Sequence, residues 1–205
     1  MAGLTIVTGK AAPLCRDNVD TDQLCAARFM KRRRKEGYGD AFLHDLRFDE
    51  DGAPRENVVD HPDHEGAVVL IAGRNFGGGS SREAAVYAVV DAGFKAVIAS
   101  SFGEIFAANA VRNGLVPAAV EAASLAKLAE AVKADPTHHV TVDLEALEVR
   151  AANLAVPFHL DKTRRTMLLN GWDDADVTAQ YREAIDTFLA RDRKQRPYAH
   201  NPPSL

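Results

Sequence analysis

The pattern of hydrophobic and polar positions is most regular between residues 67 and 120, where short apolar runs alternate with longer apolar segments. Residues 67–73, AVVLIAG, form a β-branched run that ends in glycine, which is typical of a buried strand. Strands and helices that alternate with short connections are typical of α/β domains with parallel strand pairing, and we predict that class. The sequence that follows predicts helix, strand, helix and strand at residues 82–92, 95–100, 102–113 and 115–120.

The pattern changes after residue 120. Residues 140–144 and 147–150 alternate apolar and polar side chains and predict a β-hairpin. Residues 156–160 predict an edge strand, where their proline is tolerated. Amphipathic spacing predicts helices at residues 124–134, 176–191 and 161–170, the last capped by Asp161 and ended by Gly171.

The domain organisation follows from chain length and from two loop-rich stretches. The 205 residues are enough for one large domain, with 46% hydrophobic and 26% charged residues as in ordinary globular proteins. Residues 37–66 are rich in aspartate and turn-forming residues and predict a surface insertion rather than a separate domain. We predict one domain over residues 1–193, followed by a flexible tail at residues 194–205.

The charge balance narrows the classes of partner. Lys and Arg number 25 and Asp and Glu number 29, so the net charge of −4 offers no electrostatic footprint for nucleic acid. No stretch approaches about 18 uncharged apolar residues, so we expect no membrane span. The N-terminus lacks a basic start followed by an apolar core, so we expect no secretory signal and a cytoplasmic protein.

The two cysteines, Cys15 and Cys25, are not part of a larger cysteine pattern. A metal or iron–sulfur site built from cysteine needs three or four ligands and usually starts with a close pair. We therefore expect two buried free thiols, and no metal or cluster bound by this chain.

The candidate chemistry lies in the sequence GRNFGGGSSREAA at residues 73–85, between the first predicted strand and helix of the α/β run. Three consecutive glycines at residues 77–79 are entropically costly and indicate a sharp bend or a close approach to a ligand. A phosphate-binding P-loop requires a lysine after the last glycine, and none is present. A dinucleotide-binding loop requires glycine where Arg82 lies, so that motif is absent as well.

An anion site for a carboxylate explains the loop better. The N–H groups at the helix start, the Ser80 and Ser81 hydroxyls and the Arg82 guanidinium would all point to one spot. The alternative is an ordinary serine helix cap with Glu83 as a first-turn acid. That alternative explains one serine and the glutamate, but not the three glycines and the arginine.

The same loop resembles the signature of the aconitase swivel-domain family, and within it the small subunits of bacterial 3-isopropylmalate dehydratase. Asn18–Asp22 (NVDTD) matches the family's early motif, and the resemblance extends over roughly residues 3–190. It implies an aconitase-like swivelling β/β/α domain with a central mixed, largely parallel sheet flanked by helices. Further matches in the family's order are Gly93–Ala99, Ser101, Phe102, Ile105, Phe106, Val142–Glu145, Asn170 and Gly171.

The resemblance also implies an activity and a partner. The family isomerises 2-isopropylmalate to 3-isopropylmalate in leucine biosynthesis, by removing and re-adding water. The resemblance further implies that this chain forms a heterodimer or larger assembly with a large subunit that carries a [4Fe–4S] cluster. It implies no activity for this chain alone.

Site residues follow by carry-over onto the matching loop. Ser80 is implied as the base that takes the carbon-bound proton, and Ser81, Arg82 and Gly79 as the groups that bind a substrate carboxylate. Asn75 either supports the loop or contacts the ligand.

The early motif supplies the other implied contacts. Asp20 is the implied polar partner from this second loop. Thr21 and Asp22 are weaker candidates, because the same residues form a good Asx turn.

Departures from the family pattern leave the substrate open. Ala84, Val86 and Tyr87 stand where the family has His, Pro and Trp, Gly78 stands where cysteine is common, and Ala26–Ala27 replace Pro-Lys. The chain could therefore serve another alkyl-substituted malate, or be a carboxylate-binding module without turnover.

Other charged and apolar residues have two interpretations each. Lys31–Lys35 form either a solvated face or a docking surface for a partner or anion, and Arg164 and Arg165 either support their helix or reach the site. Phe29 and Met30 belong to the core or contact an alkyl group. His61 and His64 are expected in a surface loop rather than in a metal site.

Overall fold

A computed structural model describes residues 2–200. The chain divides into two compact units, Met1–Gly171 and Trp172–Leu205. The predicted tail falls partly outside the described residues, at positions 201–205, and its flexibility and the boundary at residue 193 stay predictions. The longest helix within residues 2–200 has 14 residues, and none there is long and apolar enough to cross a membrane.

The first unit is built on two four-stranded sheets formed by the strands of the described residues. The α/β class is confirmed, and the strands divide between a parallel and an antiparallel sheet instead of sharing one mixed sheet. The parallel sheet has the order β2 (Ala11–Pro13), β3 (Val69–Ile71), β4 (Ala96–Ala99) and β5 (Val116–Ala119). The antiparallel sheet has the order β1 (Ile6–Gly9), β6 (Val140–Asp143), β7 (Glu148–Ala151) and β8 (Leu154–Pro157).

Helices follow the strands of the parallel sheet, as the apolar pattern predicted. In the first unit they are α1 (Thr21–Leu24), α2 (His44–Arg47), α3 (Glu83–Asp91), α4 (Glu104–Arg112), α5 (Ala122–Ala134) and α6 (Lys162–Asn170). Residues 37–66 form short turns and α2, but the predicted surface location is wrong for the start of this stretch, because Tyr38, Phe42 and Leu43 are buried in the core. Asp161 caps α6 and Gly171 ends it in the left-handed conformation, as predicted.

Burial explains why the central elements were readable from sequence. Every residue of β3 and of β4 is fully buried, so both strands appear as continuous apolar runs. The residues of α3 that are buried lie on more than one side of the helix, so it is apolar almost all round. The strands β1 and β2 were not predicted, because only one residue of β1 is buried and β2 (Ala-Ala-Pro) has no β-branched side chain.

The second unit corrects one prediction. The helix expected over residues 176–191 is two helices, α7 (Asp174–Ala179) and α8 (Arg182–Gln195). Asp173 begins α7 with a capping box in which its side chain accepts from the N–H of Asp176. The N–H of Tyr181 donates to Thr178 O, an i to i−3 bond that tightens the last turn and ends the helix.

The glycine loop leaves β3 over an aromatic cluster. The Phe76 ring lies 5.3 Å from the Phe106 ring and 6.3 Å from the Phe102 ring, edge-on in both pairs. Gly77 has a φ of +71°, and a Cβ at this position would overlap the Phe106 ring. A side chain at residue 77 is thus excluded both by backbone conformation and by packing.

Substitution of Gly77 by alanine tests this constraint. We expect Gly77→Ala to lower the free energy of unfolding by about 2–4 kcal/mol, from the left-handed φ plus overpacking against Phe106. Gly66→Ala is the matched control, because Gly66 has a φ of +75° with no atom within 4 Å of the added Cβ, and about 1 kcal/mol is expected there. Urea denaturation measures both, and equal losses would contradict a packing role for Phe106.

Candidate functional site

Two loops distant in sequence are joined by backbone hydrogen bonds. The N–H of Gly77 donates to Val19 O at 2.7 Å, and the N–H of Thr21 donates to Gly78 O at 2.9 Å. Asp20 and Gly78 form a parallel bridge between these two bonds. The early motif and the glycine loop therefore meet, as the resemblance implied.

Thr21 and Asp20 both use their side chains to hold this junction. The Thr21 side chain is buried, and its hydroxyl donates to Ser80 O at 2.9 Å. The Asp20 carboxylate accepts from the N–H of Gln23 at 2.8 Å, which caps α1. Both contacts are structural, and a direct contact of either residue with substrate stays a prediction.

Asp22, the residue ranked below Asp20 from the sequence, forms the ion pair of the site. Its carboxylate accepts a hydrogen bond from the Arg82 guanidinium. The Arg82 side chain is only 18% exposed, whereas that of Asp22 is 55% exposed. Asp20 caps α1 and Asp22 lies in its first turn, so the two side chains point in different directions. The helix start, which the sequence pattern did not predict, separates their roles.

Cys25 lies close to this ion pair. Burial raises the pKa of the Cys25 thiol, against the opposing effect of the Arg32 and Arg82 charges. The thiol is therefore a neutral, packed group at neutral pH. Cys25 is buried as expected, but Cys15 is exposed, which corrects the expectation of two buried thiols.

The serine hydroxyls do not cap the helix. Arg82 is the N-cap residue of α3, and no side chain makes a capping hydrogen bond there. Within the described part of the chain, no group accepts from the N–H groups of residues 81–84, and none bonds the Ser80 or Ser81 hydroxyl. The serine-cap alternative is therefore wrong, and both hydroxyls remain available at an exposed helix start.

Gly79 and Asn75 shape the two ends of the loop. Gly79 has a φ of +92° and is exposed. Together with the exposed Ser80 and Ser81 it forms one edge of the loop, the lip. Asn75 also has a positive φ, +56°, and its side chain donates to Asn18 Oδ1 at 3.1 Å. This contact favours the scaffold interpretation of Asn75, and a ligand contact stays a prediction.

Three of the residues that depart from the family pattern, Ala84, Val86 and Tyr87, lie within α3 rather than in the exposed lip. Ala84 and Val86 are buried among the core residues packed on α3. The Tyr87 ring lies beneath the Arg34 guanidinium, 4.5 Å from ring centroid to Arg34 Cζ. The changes at these positions therefore alter the packing of α3 more than the exposed surface of the loop.

The arginines of α6 are occupied elsewhere. Arg164 pairs with Glu104 in the first turn of α4. Arg165 donates to the carbonyl oxygens of Leu144 and Glu145 at 2.7 and 2.8 Å. Arg165 thus fastens α6 to the β6–β7 turn, which supports a structural role.

The basic run is not a uniform solvated face. Arg32 and Arg34 turn back onto Asp40 and Asp91, whereas Lys31, Arg33 and Lys35 are exposed. Phe29 is half-buried, and the guanidinium groups of Arg28 and Arg32 both contact its ring. Met30 is exposed.

The donor set of the chain does not fit an iron–sulfur cluster. The sequence has two cysteines, and the residues that the structure describes contain no group of three or more side chains placed to hold a metal. His61 is exposed as expected, but His64 is buried, which corrects its predicted surface location. The Nδ1 of His64 has no hydrogen-bond partner among the described atoms.

Comparison with known proteins relates this architecture to one family. The aconitase C-terminal domain family matches residues 1–123. A 3-isopropylmalate dehydratase small subunit from Streptomyces avermitilis is 43% identical over 96% of this chain and 98% of its own length. One from Rhodospirillum centenum is 42% identical over 97% and 99%.

A solved structure agrees with these relatives. The crystal structure of 3-isopropylmalate dehydratase (leuD) from Methanocaldococcus jannaschii has a TM-score of 0.60 and 26% identity, over 89% of this chain and 98% of that one. The family match, these relatives and the shared fold lead to one conclusion: the chain belongs to the aconitase C-terminal domain family, within its 3-isopropylmalate dehydratase small subunits.

Proposed function

We propose that this chain is the small subunit of a hydro-lyase that interconverts 2-isopropylmalate and 3-isopropylmalate by dehydration and rehydration, in leucine biosynthesis. The observation that carries the proposal is the start of α3. Two exposed serine hydroxyls and a row of unbonded N–H groups lie there beside Arg82, in a chain whose relatives have that name. An anion-binding surface next to a potential base suits a substrate that has carboxylates and loses a carbon-bound proton.

Ser80 acts as the base. As the alkoxide, its Oγ takes the proton from the substrate carbon and becomes a hydroxyl, and in the reverse direction it returns that proton. Serine is a weak base at its ordinary pKa, so the alkoxide requires stabilisation. The free N–H groups of residues 81–84, the positive end of α3 and Arg82 supply it.

Ser81, Arg82 and Gly79 bind a substrate carboxylate. The hydrogen bond to Asp22 uses one nitrogen of the Arg82 guanidinium, and the remaining N–H groups can donate to a second carboxylate. Asp22 thereby orients Arg82. The absence of a Cβ at Gly79 lets the carboxylate approach the N–H groups.

A large subunit supplies the rest of the site. A [4Fe–4S] cluster on that subunit provides Lewis-acid chemistry for the substrate hydroxyl. The assembly is a heterodimer or a multiple of it, in the cytoplasm. Because this chain holds only the base and the carboxylate loop, it is inactive alone.

A second candidate is the same reaction on another alkyl-substituted malate. The family positions replaced by Ala84, Val86 and Tyr87 favour it, although these side chains pack inward. Turnover of differently substituted malates by the assembled enzyme separates the two candidates. Binding of malates without turnover would indicate a carboxylate-binding module instead.

The decisive substitution is Ser80→Ala, assayed anaerobically with a cluster-loaded large subunit by the ultraviolet absorbance of the unsaturated intermediate. We expect kcat to fall about 10²- to 10⁴-fold, because the general base is lost. Ser81→Ala is the matched control, since it removes a neighbouring exposed hydroxyl, and it should mainly raise KM. Wild-type-like kcat in Ser80→Ala would contradict the assignment of the base.

Thr21→Val tests whether Thr21 positions Ser80. Valine has nearly the shape of threonine but cannot donate to Ser80 O, so we expect about 1–2 kcal/mol lower stability. We also expect about tenfold lower kcat, from misplacement of the base. Thr21→Ser keeps the hydroxyl and should retain kcat. Similar kcat in both variants would rule out the positioning role.

A further inference from the structure

The segment between α1 and α2, residues 25–43, is ordered mainly by side chains. All of its residues are described, and its regular elements are the 3-10 turns Ala27–Phe29, Arg34–Glu36 and Gly39–Ala41. Turns of three residues supply few hydrogen bonds, so the path of such a segment depends on other contacts. Burial of Tyr38, Phe42 and Leu43 in the core provides these contacts at the end of the segment, and arginine–aspartate pairs provide them in its earlier part.

One of the pairs differs from the others in what it connects. Arg32 donates to both oxygens of Asp40 at 2.5 and 2.9 Å, within the segment. Arg28 pairs with Asp45, just beyond it. Arg34 instead donates to both oxygens of Asp91 at 2.6 and 2.8 Å, and Asp91 is the last residue of α3. Among the ion pairs of the described segment, this one connects it to the central fold.

The C-terminal end of α3 is the docking site of the segment. Asp91 also accepts from the N–H of Tyr38 at 2.8 Å. A Cβ at Gly39 would lie 2.7 Å from Asp91 O, so the backbone passes directly over the helix end. One turn earlier, the Tyr87 ring supports the Arg34 guanidinium from below. Asp91, the last residue of α3, thus contacts the segment in three ways. It accepts from the Arg34 guanidinium and from the N–H of Tyr38, and its backbone lies against Gly39.

The same helix carries the candidate site at its other end. α3 starts directly after Ser80–Arg82. One rigid helix therefore connects the docking site of the segment, at Asp91 and Tyr87, to the lip. Both ends of the segment adjoin α1, the helix that carries Asp22, because Cys25 is the C-cap of α1 and the N–H of Leu43 donates to Leu24 O at 3.2 Å. The segment therefore borders the Asp22–Arg82 pair.

We propose that Asp91 and Tyr87, acting through Arg34, are positioning residues that hold residues 25–43 beside the Asp22–Arg82 pair as a wall of the substrate site. The anchoring is independent of the reaction. Its consequence for substrate binding rests on the proposed function.

The anchoring is tested first on the chain alone, by limited digestion with trypsin. We expect Arg34→Gln to speed cleavage at Lys31, Arg32, Arg33 or Lys35 about tenfold, because loss of the anchor lets the backbone of the segment unfold locally into the protease. Tyr87→Leu should act in the same direction but less strongly, and Arg34→Lys should lie between Arg34→Gln and wild type, because lysine keeps the charge but not the fork.

Arg150→Gln is the matched control. Arg150 and Asp143 are 43% and 17% exposed, against 46% and 19% for Arg34 and Asp91, but they belong to the antiparallel sheet. Digestion at residues 31–35 should be unchanged in this control. Circular dichroism verifies that each variant is folded. Unchanged digestion of folded Arg34→Gln would overturn the anchor.

The consequence for the site is tested in the assembly with the large subunit. We expect Arg34→Gln to raise KM for isopropylmalate about five- to tenfold and to leave kcat within about twofold, because the wall is lost and the base is not. Faster digestion with unchanged KM would overturn the link to substrate binding. If the wild-type assembly shows no turnover, the proposed function fails, and the digestion result alone decides the anchor.

Discussion

The glycine loop can pass where it does because no side chain projects from Gly77. The backbone there lies against the Phe106 ring, in a conformation that glycine adopts without strain. This close approach lets the N–H of Gly77 reach Val19 and brings Gly78 beside Asp20. Every later feature of the site depends on that contact, since it joins the early motif to the start of α3. A bulkier residue at position 77 would push the two loops apart, so the charged and hydroxyl groups of the site would no longer be brought together.

The charged groups of the site interact mainly with near neighbours, although the chain as a whole has a net charge of −4. The guanidinium groups around the site are paired with aspartates, and these pairs serve as geometric constraints more than as sources of stability. Arg82 keeps N–H donors for a second carboxylate, because Asp22 accepts from only one of its guanidinium nitrogens. The positive character of the site comes from that remainder and from the unbonded N–H groups of α3. Global charge therefore says little about what this surface attracts.

Much of the central fold could be read from the sequence because β3, β4 and α3 are buried on more than one side. The glycine loop was singled out as the candidate site for a different reason, since glycines followed by serines and arginine have few structural uses. The Thr21–Ser80 contact could not be predicted, because it joins residues far apart in sequence and depends on how two loops dock. Nor could the different contacts of Asp20, which caps α1, and Asp22, which pairs with Arg82, because they depend on a four-residue helix too short to show a period. The exposure of Cys15 follows from its position at the end of a strand, where composition carries no information.

The lip formed by Gly79, Ser80 and Ser81 is exposed to water in this chain. Water competes for the same N–H groups that would stabilise an alkoxide, and its high dielectric constant weakens their effect. A surface that covers the lip would therefore do more than bring a second set of groups to the substrate. By excluding water, it would change the chemical character of Ser80 itself. Subunit assembly and the creation of the base would then be a single event, so that the base would exist only where the partner is present to use it.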